Sequence, residues 1–257
     1  MKLHEFGNVN APVMILIHGV LTPWQIWLPQ IRAFEKDYHI FAVALSAHTE
    51  DEASDFISLE TEVAEILQAF SRCGITEIDV LCGLSMGGVI AHEIWKSDRL
   101  PIKHLILDGA PLIPFPFGSG KFMAKNYVKI IHKSKERDPK VLASFKKNFL
   151  PEKYLDSYLK IADFMTDTSM INIIQAADAG NLCTTVDNKS RILFLHGTKD
   201  NEILSKKVGR LIKKAYPETE VICFKDDMHC YKAIYEPEKW VEVVNNFLKP
   251  ANNVLSE

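Results

Sequence analysis

The sequence lacks the features that mark exported, metal-binding or membrane-spanning proteins. Its first apolar run, Val13 to Ile17, is only as long as a strand, and no segment approaches the length that spans a bilayer. An odd number of cysteines without a Cys-x-x-Cys pair favours reduced thiols over a disulfide framework or a zinc site; the five are Cys73, Cys82, Cys183, Cys223 and Cys230. We therefore expect a cytoplasmic protein without a membrane span.

The sequence also lacks a strong excess of either charge. The 257 residues carry a formal net charge of −3, with 25% charged and 47% hydrophobic residues, as in ordinary soluble domains. The one mildly basic stretch, Lys121 to Lys147, is interleaved with apolar residues and is typical of solvent-facing helices. These features favour a small-molecule substrate over nucleic acid, for a protein that is a monomer or a homodimer.

Short β-branched runs alternate with longer helical patterns, which predicts an α/β fold with a mainly parallel sheet of about seven to eight strands flanked by helices. The predicted strands are Leu3–Phe6, Val13–His18, His39–Leu45, Ile78–Cys82, His104–Asp108, Arg191–His196 and Glu220–Phe224. The predicted helices between them are Pro23–Lys36, Ser58–Arg72, Met86–Ser97, Ser205–Ala215 and Pro237–Leu248.

A long interval between two of these strands contains only helical patterns. It predicts a helical cap, or lid, at 112–189 inserted into a core formed by 1–111 and 190–257. Long inserts in compact domains are usually functional, and a cap here would cover the carboxyl edge of the sheet, where open α/β sheets bind ligands. Its predicted helices are Lys121–Lys133, Pro139–Asn148, Glu152–Phe164 and Ser169–Ala179.

The strongest chemical signal is the segment Gly83-Leu84-Ser85-Met86-Gly87-Gly88. A predicted strand precedes it and a predicted helix follows it, so Ser85 lies in a sharp strand-to-helix turn whose neighbours must be small. The beginning of that helix directs backbone N–H groups toward charge that forms beside Ser85. Ser85 is therefore the predicted nucleophile.

A serine nucleophile needs a base, and His229 is the best placed of the nine histidines. It lies in a loop after the last predicted strand and before the last predicted helix. A carboxylate must orient such an imidazole, and Asp200 follows the strand and turn that lead to the same edge of the sheet. Asp108, at the end of the preceding strand, is the main alternative. Asp226 and Asp227 are less suitable because they are too close to His229 in sequence to orient its ring.

Two backbone donors are expected to bind the oxyanion that forms during acyl transfer. One is the N–H of Met86, directly after the nucleophile, and the other is the N–H of Val20, in the turn after the first central strand. Trp24, Phe115 and Phe117 are predicted to contribute to an apolar acyl pocket, although ordinary core packing would use the same residues. His18 has no second metal ligand at helical or hairpin spacing, so no metal is expected.

With these motifs the sequence resembles the α/β-hydrolase superfamily over essentially its whole length. The motifs occur in the family's order and are His18-Gly19, Gly83–Gly87, His196-Gly197-Thr198-Lys199-Asp200 and the His229 loop. The resemblance implies a Ser–Asp–His triad of Ser85, Asp200 and His229, no cofactor, and a helical cap after the sixth strand of an eight-stranded sheet. It is nearest to small capped esterases, lysophospholipases and thioesterases.

Three departures from the family pattern stand out. The family's Pro-Gly-His-Gly is replaced by Leu45-Ser46-Ala47-His48-Thr49, and Met228 replaces the glycine that often precedes the catalytic histidine. Only one strand is predicted before Val13, so we expect a sheet without the family's usual first strand.

The expected activity is hydrolysis of a carboxylic ester or thioester with an apolar acyl group, through an acyl-enzyme on Ser85. The same triad also supports cleavage of carbon–carbon bonds or a related lyase reaction. A non-catalytic ligand receptor with a hydrolase-like fold is the third alternative, although a receptor has no need of an intact triad.

Overall fold

A seven-stranded sheet runs through the described part of the chain. The computed structural model describes residues 1–185, 189–199 and 202–249, apart from the side chain of Phe117. Its strands are β1 (Lys2–Gly7), β2 (Val13–Ile17), β3 (His39–Ala44), β4 (Ile78–Leu84), β5 (Ile102–Asp108), β6 (Arg191–His196) and β7 (Glu220–Cys223). Their order in the sheet is β1-β3-β2-β4-β5-β6-β7.

All neighbouring strands are parallel except β1, which pairs antiparallel with β3. The central strands are nearly continuous apolar runs because helices cover both faces of the sheet. Since β2, β4, β5 and β6 are adjacent and parallel, the loops that follow them lie along one edge. This arrangement places the candidate residues within reach of one another.

Helices flank the sheet, and some of them are inserted in the chain between β5 and β6. They are α1 (Leu28–Phe34), α2 (Leu59–Arg72), α3 (Met86–Lys96), α4 (Ser119–Lys135), α5 (Pro139–Asn148), α6 (Leu155–Phe164), α7 (Asp167–Asp178), α8 (Glu202–Ala215), α9 (Tyr231–Tyr235) and α10 (Pro237–Leu248). Within the described residues, no helix combines the length and the apolar character needed to cross a membrane.

Outside the interval 112–189, two helices begin three or more residues from their predicted start. The predicted helix Pro23–Lys36 is a 3-10 turn, Trp24–Trp27, followed by α1. Pro29 explains the division, because proline lacks an N–H and suits only the first turn of a helix. Helix α8 begins at Glu202, three residues before the predicted start, and the short helix α9 was not predicted.

Helices α4 to α7 come between β5 and β6 in the sequence, and the described part of this interval contains no strand. We call them the interstrand helices. They follow the fifth strand rather than the expected sixth, because only β1 precedes β2 in the sheet. Their packing has its own contacts, including a hydrogen bond of 2.7 Å between the Ser134 and Tyr158 hydroxyl groups and stacking of Phe145 on Tyr158 at 4.0 Å.

Candidate active site

Ser85 occupies a strained turn between β4 and α3. Its φ of 54° and ψ of −115° are rarely adopted by residues with a side chain. The Ser85 N–H donates to the Asp108 carbonyl at 2.7 Å, and the Ser85 carbonyl accepts from Gly88 N–H at 2.9 Å. A Cβ atom on Gly83 would lie 2.2 Å from the Gly87 carbonyl oxygen, so the turn closes only with glycine there.

His229 reaches Ser85 across the sheet edge from the loop after β7. Its Nε2 lies 2.9 Å from the Ser85 Oγ, although the two residues are 144 positions apart. The Asp227 carbonyl holds the loop by accepting from the Thr198 and Lys199 N–H groups, each at 3.0 Å. The His229 side chain is 32% exposed, so a molecule in the adjoining cavity can reach it. The geometry suits proton transfer between Ser85 and His229.

Glu202, in the first turn of α8, hydrogen-bonds the other ring nitrogen of His229. Its side chain is fully buried, and its second carboxylate oxygen accepts from Gly197 N–H at 3.2 Å. Burial raises the pKa of Glu202, but the hydrogen bond and charge of His229 lower it by more. The pKa of Glu202 therefore lies below its ordinary value. For His229, burial lowers the pKa, and Glu202 followed by Asp108 raises it above the ordinary value overall.

Glu202 was not predicted from the sequence, and the predicted carboxylate, Asp200, lies outside the described residues. Glu202 shares a helical face with the buried residues Ser205, Gly209 and Ile212, at spacings of three, seven and ten. Extending the pattern of the predicted helix backwards by three residues would have placed a carboxylate on its buried face. A buried carboxylate is rare without a partner, so this was a usable signal.

Asp108, the alternative carboxylate, is buried beside this pair but bonded elsewhere. Its Oδ2 accepts from the Trp240 indole N–H at 3.0 Å. Burial, followed by the negative charge of Glu202, raises the pKa of Asp108 to about 7. Asp108 is therefore partly protonated near neutral pH, whereas Glu202 is the carboxylate in contact with the imidazole.

Two buried histidines fix the turn after β2. His18 donates from Nδ1 to the Gly19 carbonyl at 2.8 Å and accepts from Leu45 N–H at 3.1 Å through Nε2. His48 accepts from Leu21 N–H at 3.0 Å, which holds Leu21 at a φ of 57°. Because both rings accept a backbone hydrogen bond, both are neutral. Burial lowers the pKa of each, that of His48 to about 4.

We expect His48 to make the fold sensitive to acid. In the unfolded chain His48 takes up a proton near its ordinary pKa of 6.5, whereas in the folded chain it does so only near 4. The contribution of His48 to the free energy of unfolding is therefore present above about pH 6.5 and falls by about 3 kcal/mol as the pH drops to 4. Urea unfolding of wild type and His48→Gln across this range measures the contribution, and equal pH slopes for the two proteins would contradict it.

A cavity of roughly 670 Å³ opens over Ser85 and His229. The turn after β2 contributes Gly19 and Val20, and the interstrand helices and the segment before them contribute a larger, mostly apolar set: Phe115, Pro116, Met123, Tyr127, Phe149, Ile174 and Ala177. Met86, the first residue of α3, has no acceptor for its N–H within the helix.

The three residues predicted to form the acyl pocket differ in their positions relative to the cavity. Phe115 lines the cavity, with its N–H donating to the Asp178 carboxylate at 2.6 Å. Trp24 does not belong to the described lining: it stacks on His4 at 4.0 Å and lies 5.7 Å from the Phe6 ring. Trp24 therefore packs against the aromatic rings of the antiparallel edge strand β1. Phe117 lies in the 3-10 turn Pro116–Gly118, and its side chain lies outside the described part of the chain.

Comparison with known proteins identifies the family. The sequence model of the alpha/beta hydrolase family matches residues 14–238, which is most of the chain. The chain belongs to the α/β-hydrolase family. A structural relative, an esterase from Exiguobacterium antarcticum, shares the fold with a TM-score of 0.72 and 19% identity, covering 97% of this chain and 95% of that one.

Curated relatives match over shorter segments. Epoxide hydrolase 4 of Mus musculus is 31% identical over 91 residues, covering 34% of this chain and 25% of that protein. A monoacylglycerol lipase of Xenopus laevis is 27% identical over 128 residues, covering 49% of this chain and 37% of that protein. The matches thus span well under half of these relatives' own lengths. Together with the family they support a hydrolase function, without fixing the bond that is cleaved.

The segment after β3 differs in sequence from the α/β-hydrolase pattern but keeps a structural role. Ala47 stands where the family often has glycine and adopts a φ of 63°, and its N–H donates to the Ser54 Oγ at 2.9 Å. His48 keeps the family's histidine and bonds the turn after β2. The segment therefore holds the turn that contains Val20 despite the missing glycines.

Proposed function

We propose that this chain is a serine hydrolase that cleaves a carboxylic ester or thioester with an apolar acyl group. In this proposal Ser85 is the nucleophile, His229 the base and Glu202 the carboxylate that orients the base. The observation that carries it is one imidazole placed between Ser85, at 2.9 Å from Nε2, and the buried Glu202 at Nδ1. Glu202 thereby replaces Asp200 in the triad predicted from the sequence.

The proposed reaction has two acyl-transfer steps. The Ser85 hydroxyl donates its proton to His229 Nε2 as the oxygen attacks the substrate carbonyl, and Glu202 stabilises the imidazolium. His229 then returns the proton to the departing alcohol or thiol, leaving an acyl group on Ser85. Water, deprotonated by the same imidazole, hydrolyses this acyl-enzyme and restores the serine.

The proposed oxyanion donors are the N–H groups of Val20 and Met86. Support comes from the position of Met86 at the first turn of α3, where the positive end of the helix dipole lies. It also comes from the buried His18 and His48, which fix the turn containing Val20 before substrate arrives. Donors that are oriented beforehand need no reorganisation as charge develops, which is the main source of their effect.

We propose that residues 112–189 act as a cap over the acyl group. The apolar cavity residues of the interstrand helices support this role, because they line the same cavity as Ser85 and His229. Mostly apolar walls with few polar groups suit an alkyl or aryl acyl chain better than a sugar or a peptide. The interstrand helices would then set the preferred chain length.

The identity of the nucleophile favours an ester over an epoxide. A carboxylate that opens an epoxide forms an ester, which water can hydrolyse. A serine hydroxyl would instead form an ether, which this site has no means of cleaving. A serine at the turn between β4 and α3 therefore suits carbonyl substrates, although some of the matched relatives are named epoxide hydrolases.

The test is hydrolysis of a p-nitrophenyl ester series from acetate to dodecanoate by the full chain. Each added methylene that the cavity buries is worth about 0.8 kcal/mol, so kcat/KM should rise roughly fourfold per methylene until the cavity is filled, and then fall. Parallel assays with a β-diketone and an epoxide are the controls. Turnover of either one, with no hydrolysis of any ester, would contradict the proposal.

A further inference from the structure

Helix α4 presents a row of lysines on its solvent side. Lys121, Lys125, Lys129 and Lys133 follow one another at steps of four residues, so they lie on one face, and all four are exposed. The opposite side of α4 packs inward through Ala124, Ile131 and Ser134. Together with Phe122 we call these four lysines the lysine face.

The four ammonium groups have no carboxylate within 4.0 Å among the described residues. Like charges at steps of four residues destabilise a helix, so the row of lysines does not serve to stabilise α4. The surroundings add to the positive charge. Residues 119 to 153 contain ten Lys or Arg and three Asp or Glu, a formal charge of +7 in a chain whose net charge is −3.

An aromatic side chain lies within this row. Phe122 is 69% exposed and precedes Lys125, Lys129 and Lys133 by three, seven and eleven residues, which places it on the same face. A large apolar side chain surrounded by unpaired cations is poorly suited to water alone. It suits a partner that has anionic groups at its surface and an apolar interior beneath them.

The lysine face also lies beside the cavity over Ser85. Ser119, one turn before Phe122, lines that cavity, as does Met123 directly after it. Ile203 of α8, also a lining residue of the cavity, is 78% exposed. A surface that contacts Phe122 would therefore lie near the rim of the cavity.

We propose that the lysine face docks the protein peripherally on an anionic phospholipid bilayer, with Phe122 inserted among the headgroups. The lysines supply charge complementarity, since each basic residue near such a surface contributes to binding. Phe122 favours a bilayer over nucleic acid, because a phosphate backbone offers no apolar layer for it. Docking is independent of the ester-cleaving chemistry, and it would bring amphiphilic substrates to the cavity.

The test is co-sedimentation of the full chain with vesicles of equimolar phosphatidylglycerol and phosphatidylcholine at low salt. Binding should fall steeply with added salt and be absent with phosphatidylcholine alone. Lys125→Gln with Lys129→Gln should lower the partition coefficient roughly 25-fold, at about fivefold per lysine. Phe122→Ala should lower it roughly tenfold through loss of apolar burial.

The matched control replaces two exposed lysines of α8, Lys207 and Lys214, by glutamine. This change removes the same charge from another face and should leave vesicle binding near the wild-type level. Three results would overturn the proposal: no binding to the anionic vesicles, equal loss in the control, or binding to duplex DNA that depends on the α4 lysines while vesicles are not bound. Because sedimentation needs no turnover, failure here is distinct from failure of the proposed chemistry.

Discussion

Replacing Ser85 by alanine should lower kcat for the preferred p-nitrophenyl ester by roughly 10⁴- to 10⁶-fold, as in dissected triads. The expected loss is this large because the alanine side chain has no oxygen to attack the carbonyl or to carry the acyl group. His229 and the backbone donors would remain, so a small residual rate above the uncatalysed reaction is expected. The measurement is steady-state turnover, with KM expected to change far less than kcat.

The same variant should fail to react with a fluorophosphonate probe, whereas wild type should be labelled at Ser85. Ser71→Ala, which removes a hydroxyl from the exposed side of α2, is the matched control and should be labelled like wild type. Thermal unfolding of both variants checks that the fold is intact. If folded Ser85→Ala hydrolyses the ester at the wild-type rate, Ser85 is not the nucleophile. If folded wild type forms no adduct, the receptor alternative gains support.

The turn at Ser85 and the position of His229 could be predicted because each depends on a local sequence pattern or on strand order. A buried strand, a serine between glycines and a following helix occupy consecutive positions, so one stretch of sequence defines the turn at Ser85. The position of His229 follows from parallel strands, because the loops after β4 and β7 open at the same edge. Contact between residues 144 positions apart was thus predictable from order alone.

The partner of His229 could not be predicted in the same way. Both Asp200 and Glu202 follow β6 closely, and the choice depends on where α8 begins and on which side chain its first turn buries. The Trp24 side chain posed a similar difficulty. Its position after the β2 turn is compatible with the cavity, but the stacking with His4 of β1 depends on strand pairing that the local sequence does not specify.

The carboxylate of the triad can be assigned by comparing Glu202→Gln with Asp200→Asn. The first change should lower kcat by roughly 10⁴-fold, as when the carboxylate of a related triad becomes an amide. The glutamine side chain has nearly the same size, but it is neutral and can no longer stabilise the imidazolium. Asp200→Asn, made two residues away with the same chemistry, should retain most of the wild-type turnover.

The pH dependence separates this role from a purely structural one. Glu202 raises the pKa of His229, and an imidazole must be unprotonated to act as a base. In Glu202→Gln the burial of His229 still lowers its pKa, whereas the negative charge of Glu202, which raises that pKa, is lost. The acid limb of kcat/KM should therefore move to lower pH as the plateau falls, whereas a variant that is merely destabilised would keep the wild-type midpoint.

The opposite pattern would return the triad to the carboxylate predicted from the sequence. If Asp200→Asn abolished turnover and Glu202→Gln kept both its plateau and its acid limb, the hydrogen bond between Glu202 and His229 would be catalytically unimportant. Loss in both variants would mean that the two carboxylates act on one imidazole. Their effects would then be non-additive in the double variant, because the second substitution would remove an interaction that the first had already broken.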